Sequence, residues 1–256
     1  MSDNSHILLA CMPKSGSTFL VNLIDRLPDF KKYSLVPGYG DREQEIEESR
    51  INSFLVSREN PNSKVFNSKF FIAQHHVRHS IVLDDICNRH NIFRVILCRN
   101  LRDVIYSIKD HFVDEAVGGS SGVVPKEYFS WEDHKREEFI VDLIIPWYIN
   151  FFMGWIKCKD NSIKMIWYED LISNKIETVS SILKAAGHLQ ITTEQIDEAI
   201  NIVTANQTTS QKRCSKNRFN KGISGRGQNL SQNASDKLLK LLDYYKLDDL
   251  YFKLLY

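Results

Sequence analysis

Apolar residues along the chain fall in short blocks separated by longer amphipathic stretches. Ile7-Leu8-Leu9-Ala10 reads as a buried strand, and helical spacing follows from Phe19 to Leu27. Lys69-Phe70-Phe71-Ile72-Ala73 reads as a second strand that runs into Gln74-His75-His76. A short helix over 81–88 leads to a third strand, Phe93–Cys98, whose composition is of β type. Leu101–Phe112 has helical spacing again, and Ile163–Trp167 is a fourth strand that ends at Tyr168-Glu169-Asp170. Lys175–Ala186 is an amphipathic helix closed by Gly187, and Thr192 with Gln195 makes a capping box for the next one. A last apolar-periodic segment begins near Ala234. Strands alternating with helices predict an α/β fold with a central parallel sheet flanked by helices, in a single domain spanning 1–256.

The connections carry signals of their own. Residues 28–65 are mixed, with turns at Pro37–Gly40 and Asn60–Ser63 and a strongly charged run, Asp41–Arg50, that predicts a solvated helix. Val117–Val123 is rich in glycine and serine and lies between two helices, where a lid could sit. Trp131–Lys157 predicts a long helix interrupted near Ile145 by Pro146. Its most apolar part, Phe139–Ile156, contains Asp142, Pro146 and Asn150, which argues for a buried, kinked helix and against a membrane span. Residues 207–230 are polar and contain glycine.

Length and charge narrow the function. The chain has 256 residues, enough for a sizeable core. Its 33 basic and 32 acidic residues give a net charge of +1, which offers no support for a nucleic-acid or polyanion surface. The five cysteines are odd in number, scattered and free of any CxxC pair, so reduced thiols in a cytoplasm are expected. The first strand is expected to begin by about residue 7, so no signal peptide is expected.

Candidate chemistry gathers at the strand ends. Cys11-Met12-Pro13-Lys14-Ser15-Gly16-Ser17-Thr18-Phe19 joins the first strand to the first helix. Backbone N–H groups, a helix N-terminus, a lysine, three hydroxyls and a permissive glycine together suit a phosphate. The order differs from a Walker loop, GxxxxGK[ST], because here the lysine follows a proline and precedes the glycine. Lys14, His76, Arg99 and Tyr168 follow four different strands, and ligands of parallel sheets bind at the carboxyl ends of strands.

Pro13–Phe19 resembles PKSGTTW, the 5′-phosphosulfate loop of the sulfotransferases that use 3′-phosphoadenosine 5′-phosphosulfate (PAPS). Arg99-Asn100-Leu101-Arg102-Asp103-Val104-Ile105-Tyr106-Ser107 resembles the family's 3′-phosphate element, RNxxDVxxS. Tyr168-Glu169-Asp170-Leu171 looks like its YEDL, and Arg218–Gly225 is similar to its RKGxxG closing loop. The four elements stand in family order across residues 12–225. The resemblance implies a P-loop nucleotide-kinase-like sulfotransferase fold, PAPS as sulfuryl donor, 3′,5′-ADP as product and no required metal. It also implies a small-molecule acceptor, of the natural-product tailoring kind, whose pocket residues 33–60 and 113–135 would shape. It assigns nucleotide contacts to Lys14, Ser15, Gly16, Ser17, Thr18, Phe19, Arg99, Ser107, Tyr168, Lys221 and Gly222, with Phe19 offering a face to adenine. It assigns Lys14 to the transferring group.

Three departures stand out. Asn220 occupies the place of the closing loop's arginine, with Arg218 two residues earlier as a candidate substitute. No tryptophan follows Gly225, and Gln74 replaces the lysine of the family's K-x-H pattern. That alignment makes His76 the general base, whereas a slip of one residue selects His75; alternation points the two in opposite directions. His75, His76 and His79 do not have the H-E-x-x-H spacing of a metal site. Two other functions fit a nucleotide-binding sheet: a phosphoryl-transfer enzyme with Asp170 holding Mg²⁺, and a non-catalytic 3′,5′-ADP-binding protein. The family's usual dimer signature is not evident, which leaves the oligomeric state open.

Overall fold

The computed structural model describes residues 4–37, 44–115, 124–158, 162–211, 224–247 and 251–255. In chain order β1 is His6–Cys11, α1 Ser17–Ile24, β2 Phe30–Lys32, α2 Glu48–Ser57, β3 Phe70–His75, α3 Ile81–Arg89 and β4 Ile92–Cys98. Then follow α4 Leu101–Glu115, α5 Asp133–Leu143, α6 Ile145–Ile156, β5 Ile163–Trp167, α7 Tyr168–Ser173, α8 Lys175–Ala185, α9 Thr193–Gln211 and α10 Gln232–Tyr244. The sheet has the order β2-β3-β1-β4-β5, and every pairing in it is parallel.

Each central strand is apolar on both faces, as a sheet covered on both sides requires. In β1, Leu8 and Ala10 enter one apolar layer and Ile7, Leu9 and Cys11 the other. β4 divides likewise, with Ile96 and Cys98 against Val95 and Leu97. The first layer is closed by α2, α3, α4, α5, α6 and α10, and the second by α1, α7, α8 and α9. α5 and α6 bury Ile140, Val141, Ile145, Ile149, Phe152 and Trp155 in the first layer.

Two expectations change. The sheet has a fifth strand, β2, whose three residues, Phe-Lys-Lys, are too few to show a period. The helix expected over Asp41–Arg50 lies instead at Glu48–Ser57, centred on Ile51 and Phe54, its two buried residues. Packing of this branched chain and this ring, not the charged run, decides where it forms. The interruption expected near Ile145 is present: two helices are separated at Ile144, and Pro146 falls in the first turn of α6, where its missing N–H is harmless. Val117–Val123 lies outside the described residues.

Candidate active site

The register brings four strand ends into line. Ala10 lies beside His75, Cys11 beside Leu97, and Cys98 beside Trp167. The residues that follow, on β3, β1, β4 and β5, therefore emerge along one edge. The chain lays β3 on one side of β1 and β4 on the other, so the loop after β1 sits where the strand order reverses.

That loop is tightly folded. The Ser15 N–H and Oγ both donate to Met12 O, at 3.3 and 2.6 Å. Lys14 and Gly16 both hold the left-handed conformation, with φ of 64° and 84°. Gly16 has a second reason to be glycine: a Cβ there would lie 2.6 Å from Tyr168 Cδ2. The outer carbonyls are held from outside, since Tyr148 Oη donates to Pro13 O at 3.1 Å and Arg99 Nη1 to Lys14 O at 2.9 Å. Ser17 begins α1 and accepts a hydrogen bond from Gln74 Nε2 at 2.8 Å. Thus the residue in the lysine position of K-x-H braces the loop. Thr18 is half-buried, and Ser15 is fully buried within the turn. Phe19 differs from expectation: it is buried in the second apolar layer beneath α1, so its ring is a core contact and not an open face for a base.

Arg99 is 7% exposed and already clamped. Its guanidinium lies 4.1 Å over the Tyr168 ring and 3.4 Å from Asp103 Oδ2. Burial raises the Tyr168 phenol above its usual range, against the lowering effect of Arg99. Ser107 is buried on α4, two turns beyond Arg99. The start of α4 is capped by Asn100 Oδ1, which accepts from the N–H groups of Arg102 and Asp103 at 2.9 and 3.3 Å. Glu169 Oε1 accepts from the Asn100 N–H at 3.2 Å, and burial raises that carboxyl.

The two histidines separate cleanly. His75 is 1% exposed, and its Nε2 accepts the Leu35 N–H at 2.9 Å. Burial, aided by His76, pushes its pKa down to about 3, so it is a neutral structural acceptor. The slipped register, with His75 as base, is thereby corrected. His76 is half-buried, and its Nδ1 lies 2.8 Å from Cys11 O. A carbonyl only accepts, so Nδ1 carries the proton. The backbone N–H of His76 donates to Gln44 Oε1 at 2.9 Å. His79 turns elsewhere, with Nε2 2.7 Å from Asp84 Oδ2, while the buried Arg94 takes Asp84 Oδ1 at 2.5 Å. The three histidines serve three different partners.

Arg218, Asn220, Lys221 and Gly222 lie outside the described residues. Gly225 is described, with φ of 86° and its N–H donating to Asp103 Oδ2 at 2.8 Å. Gln74, Tyr148 and Asp103 brace the site, a role the sequence did not assign to them. Gln74 carried a signal through its place in K-x-H and Asp103 as the aspartate of RNxxDVxxS; Tyr148 is one aromatic residue in an apolar run.

No curated protein matches the chain. Among solved structures it resembles mouse sulfotransferase SULT7A1 complexed with PAP, at 13% identity and a TM-score of 0.65, over 96% of this chain and 84% of that one. It also resembles retinol dehydratase in complex with androsterone and the inactive cofactor PAP, at 17% identity and 0.59, over 95% and 81%. These likenesses show a shared fold. The sulfotransferase-domain model matches residues 4–240, and the chain belongs to that family.

Proposed function

We propose that the chain moves a sulfuryl group from PAPS to a hydroxyl or amine of a small-molecule acceptor, a natural product being the kind we favour, and releases 3′,5′-ADP. The observation that carries this reading is the alignment of Lys14, His76, Arg99 and Tyr168 at four adjacent parallel strand ends, around a loop whose tight turn needs Gly16. The donor set fits a bisphosphorylated nucleotide: a lysine and a helix N-terminus on one strand end, an arginine and a buried serine on the next. SULT7A1 and retinol dehydratase, which share the fold, are both seen with PAP, and retinol dehydratase also with androsterone.

PAPS, when bound, supplies a sulfuryl group on a phosphate leaving group. The chain supplies the rest. Lys14 and the first turn of α1 place positive charge where the leaving group's negative charge grows. Arg99 and Ser107 hold the 3′-phosphate. With the Nδ1 proton committed to Cys11 O, Nε2 is the basic nitrogen of a neutral His76 and takes the acceptor's proton. A reduced, cytoplasmic setting fits Cys11, Cys87 and Cys98, which are buried as free thiols.

Radiolabelled PAPS offered with a panel of alcohols and amines tests the reading. Label is expected on at least one acceptor; transfer to none would make the chain a binding module. Thermal shift separates the phosphoryl-transfer alternative: stabilisation by ATP with Mg²⁺ but not by 3′,5′-ADP would overturn the proposal.

A further inference from the structure

Asp103 is buried, 3% exposed, and its strongest contacts are not with Arg99. Arg99 Nη2, four residues away, stands 3.4 Å from Oδ2. Two backbone amides from a segment more than a hundred residues later are closer. The Gly225 N–H donates to Oδ2 at 2.8 Å and the Gly227 N–H to Oδ1 at 2.7 Å. A carboxylate used on both oxygens fixes orientation as well as position. The turn it holds is built for this approach. Gly225 adopts φ of 86°, and a Cβ on Gly227 would stand 2.3 Å from Arg102 Cβ and 2.8 Å from the Asp103 nitrogen. Two further links, Tyr106 Oη to Asn229 O at 2.6 Å and Arg226 to Asp110 at 2.8 Å, tie the same turn along α4. Arg99 in turn reaches Lys14 O and stacks on Tyr168. Asp103 is therefore the junction at which the Arg99 guanidinium and the Gly225–Gly227 turn meet.

We infer that Asp103 is a positioning residue that couples Arg99 to the Gly225–Gly227 turn, so that a phosphate held by Arg99 tightens the turn and the turn in turn orders Arg99. The inference rests on the reading above that Arg99 holds the 3′-phosphate. Linkage makes the coupling reciprocal, and both directions can be measured.

In the unmutated protein, amide exchange at Gly225 and Gly227 is expected to slow with saturating 3′,5′-ADP and much less with saturating 5′-AMP. Equal protection by the two nucleotides would overturn the coupling. Asp103→Asn keeps the shape but presents an NH₂ group to one donor. It is expected to cut the preference for 3′,5′-ADP over 5′-AMP by on the order of tenfold, with 5′-AMP affinity nearly unchanged. A merely structural role would lower the melting temperature and leave that ratio alone, which would refute the inference. Should Asp103→Asn fail to fold, the exchange measurement on the unmutated protein decides. An unmutated protein that binds 3′,5′-ADP no better than 5′-AMP removes the Arg99 reading itself; retained discrimination in Asp103→Asn removes only the coupling.

Discussion

A methyl group at Gly16 would meet the Tyr168 ring at 2.6 Å on a backbone already at φ of 84°. Left-handed strain in a non-glycine residue costs about 1–3 kcal/mol, and the overlap adds to it. Gly16→Ala is therefore expected to lower the melting temperature and weaken 3′,5′-ADP binding together, as thermal shift and calorimetry would show; an unchanged affinity would contradict the loop's role. The histidines make a sharper pair. His76→Ala should lose general-base catalysis, typically about 10²–10⁴-fold in kcat, with PAPS affinity hardly altered. His75→Ala should instead strand the Leu35 N–H and lower stability without a specific rate loss. If His75→Ala were the slow variant, the Nδ1–Cys11 tautomer argument would fail. Alternation along β3 was legible in the sequence and says that the two rings oppose each other. Which ring faces inward was not legible, because the decision lies with Leu35, about forty residues away and unmarked by any motif.

Helix α4 shows how much of an element's meaning lies in its neighbours. Its start and its Arg99-to-Ser107 spacing were readable from period and motif. Its third-turn lysine was not. Lys109 is buried, with Nζ 2.7 Å from Glu137 Oε1 and 3.0 Å from Asp133 Oδ2, both on α5. Glu137 Oε2 accepts the Ser231 N–H at 3.0 Å, next to the start of α10. Three helices thus meet at one buried ion pair. Removing one partner leaves an uncompensated charge, so Lys109→Met should cost about 3–5 kcal/mol in denaturant unfolding. Glu137→Gln keeps an acceptor for Ser231 and discards the charge, so the double variant should recover part of that loss. Additive losses would show that the pair is not coupled. The same dependence explains β2 and α2: three residues show no period, and a charged run hides the two apolar anchors that place the helix.

At the scale of the whole molecule, the sheet's two covered faces bury rings that must stay neutral. His6, at the start of β1, stacks on Phe71 at 4.2 Å with planes 1° apart, and its Nδ1 accepts the Phe71 N–H at 3.2 Å. Burial, and then Arg58, His188 and His90, bring its pKa down to about 4. His75, at the far end of β3, is brought to about 3 by burial and His76. An unfolded histidine titrates near about 6.5. Between these values the unfolded chain binds more protons than the folded one, so stability rises with pH. What both rings contribute is intact above the unfolded pKa and is lost as pH falls from there toward the folded values. Each adds a slope of up to about 1.4 kcal/mol per pH unit within that window. Above the ordinary carboxylate range, between about pH 5 and 6.5, histidines dominate this slope. Denaturant midpoints measured across that interval should therefore fall steeply with acid in the unmutated protein. His6→Phe, which preserves a ring against Phe71, and His75→Asn, which preserves an acceptor for Leu35, should each start less stable and fall less steeply. A variant whose curve ran parallel to that of the unmutated protein would show that its histidine is not held neutral by the fold.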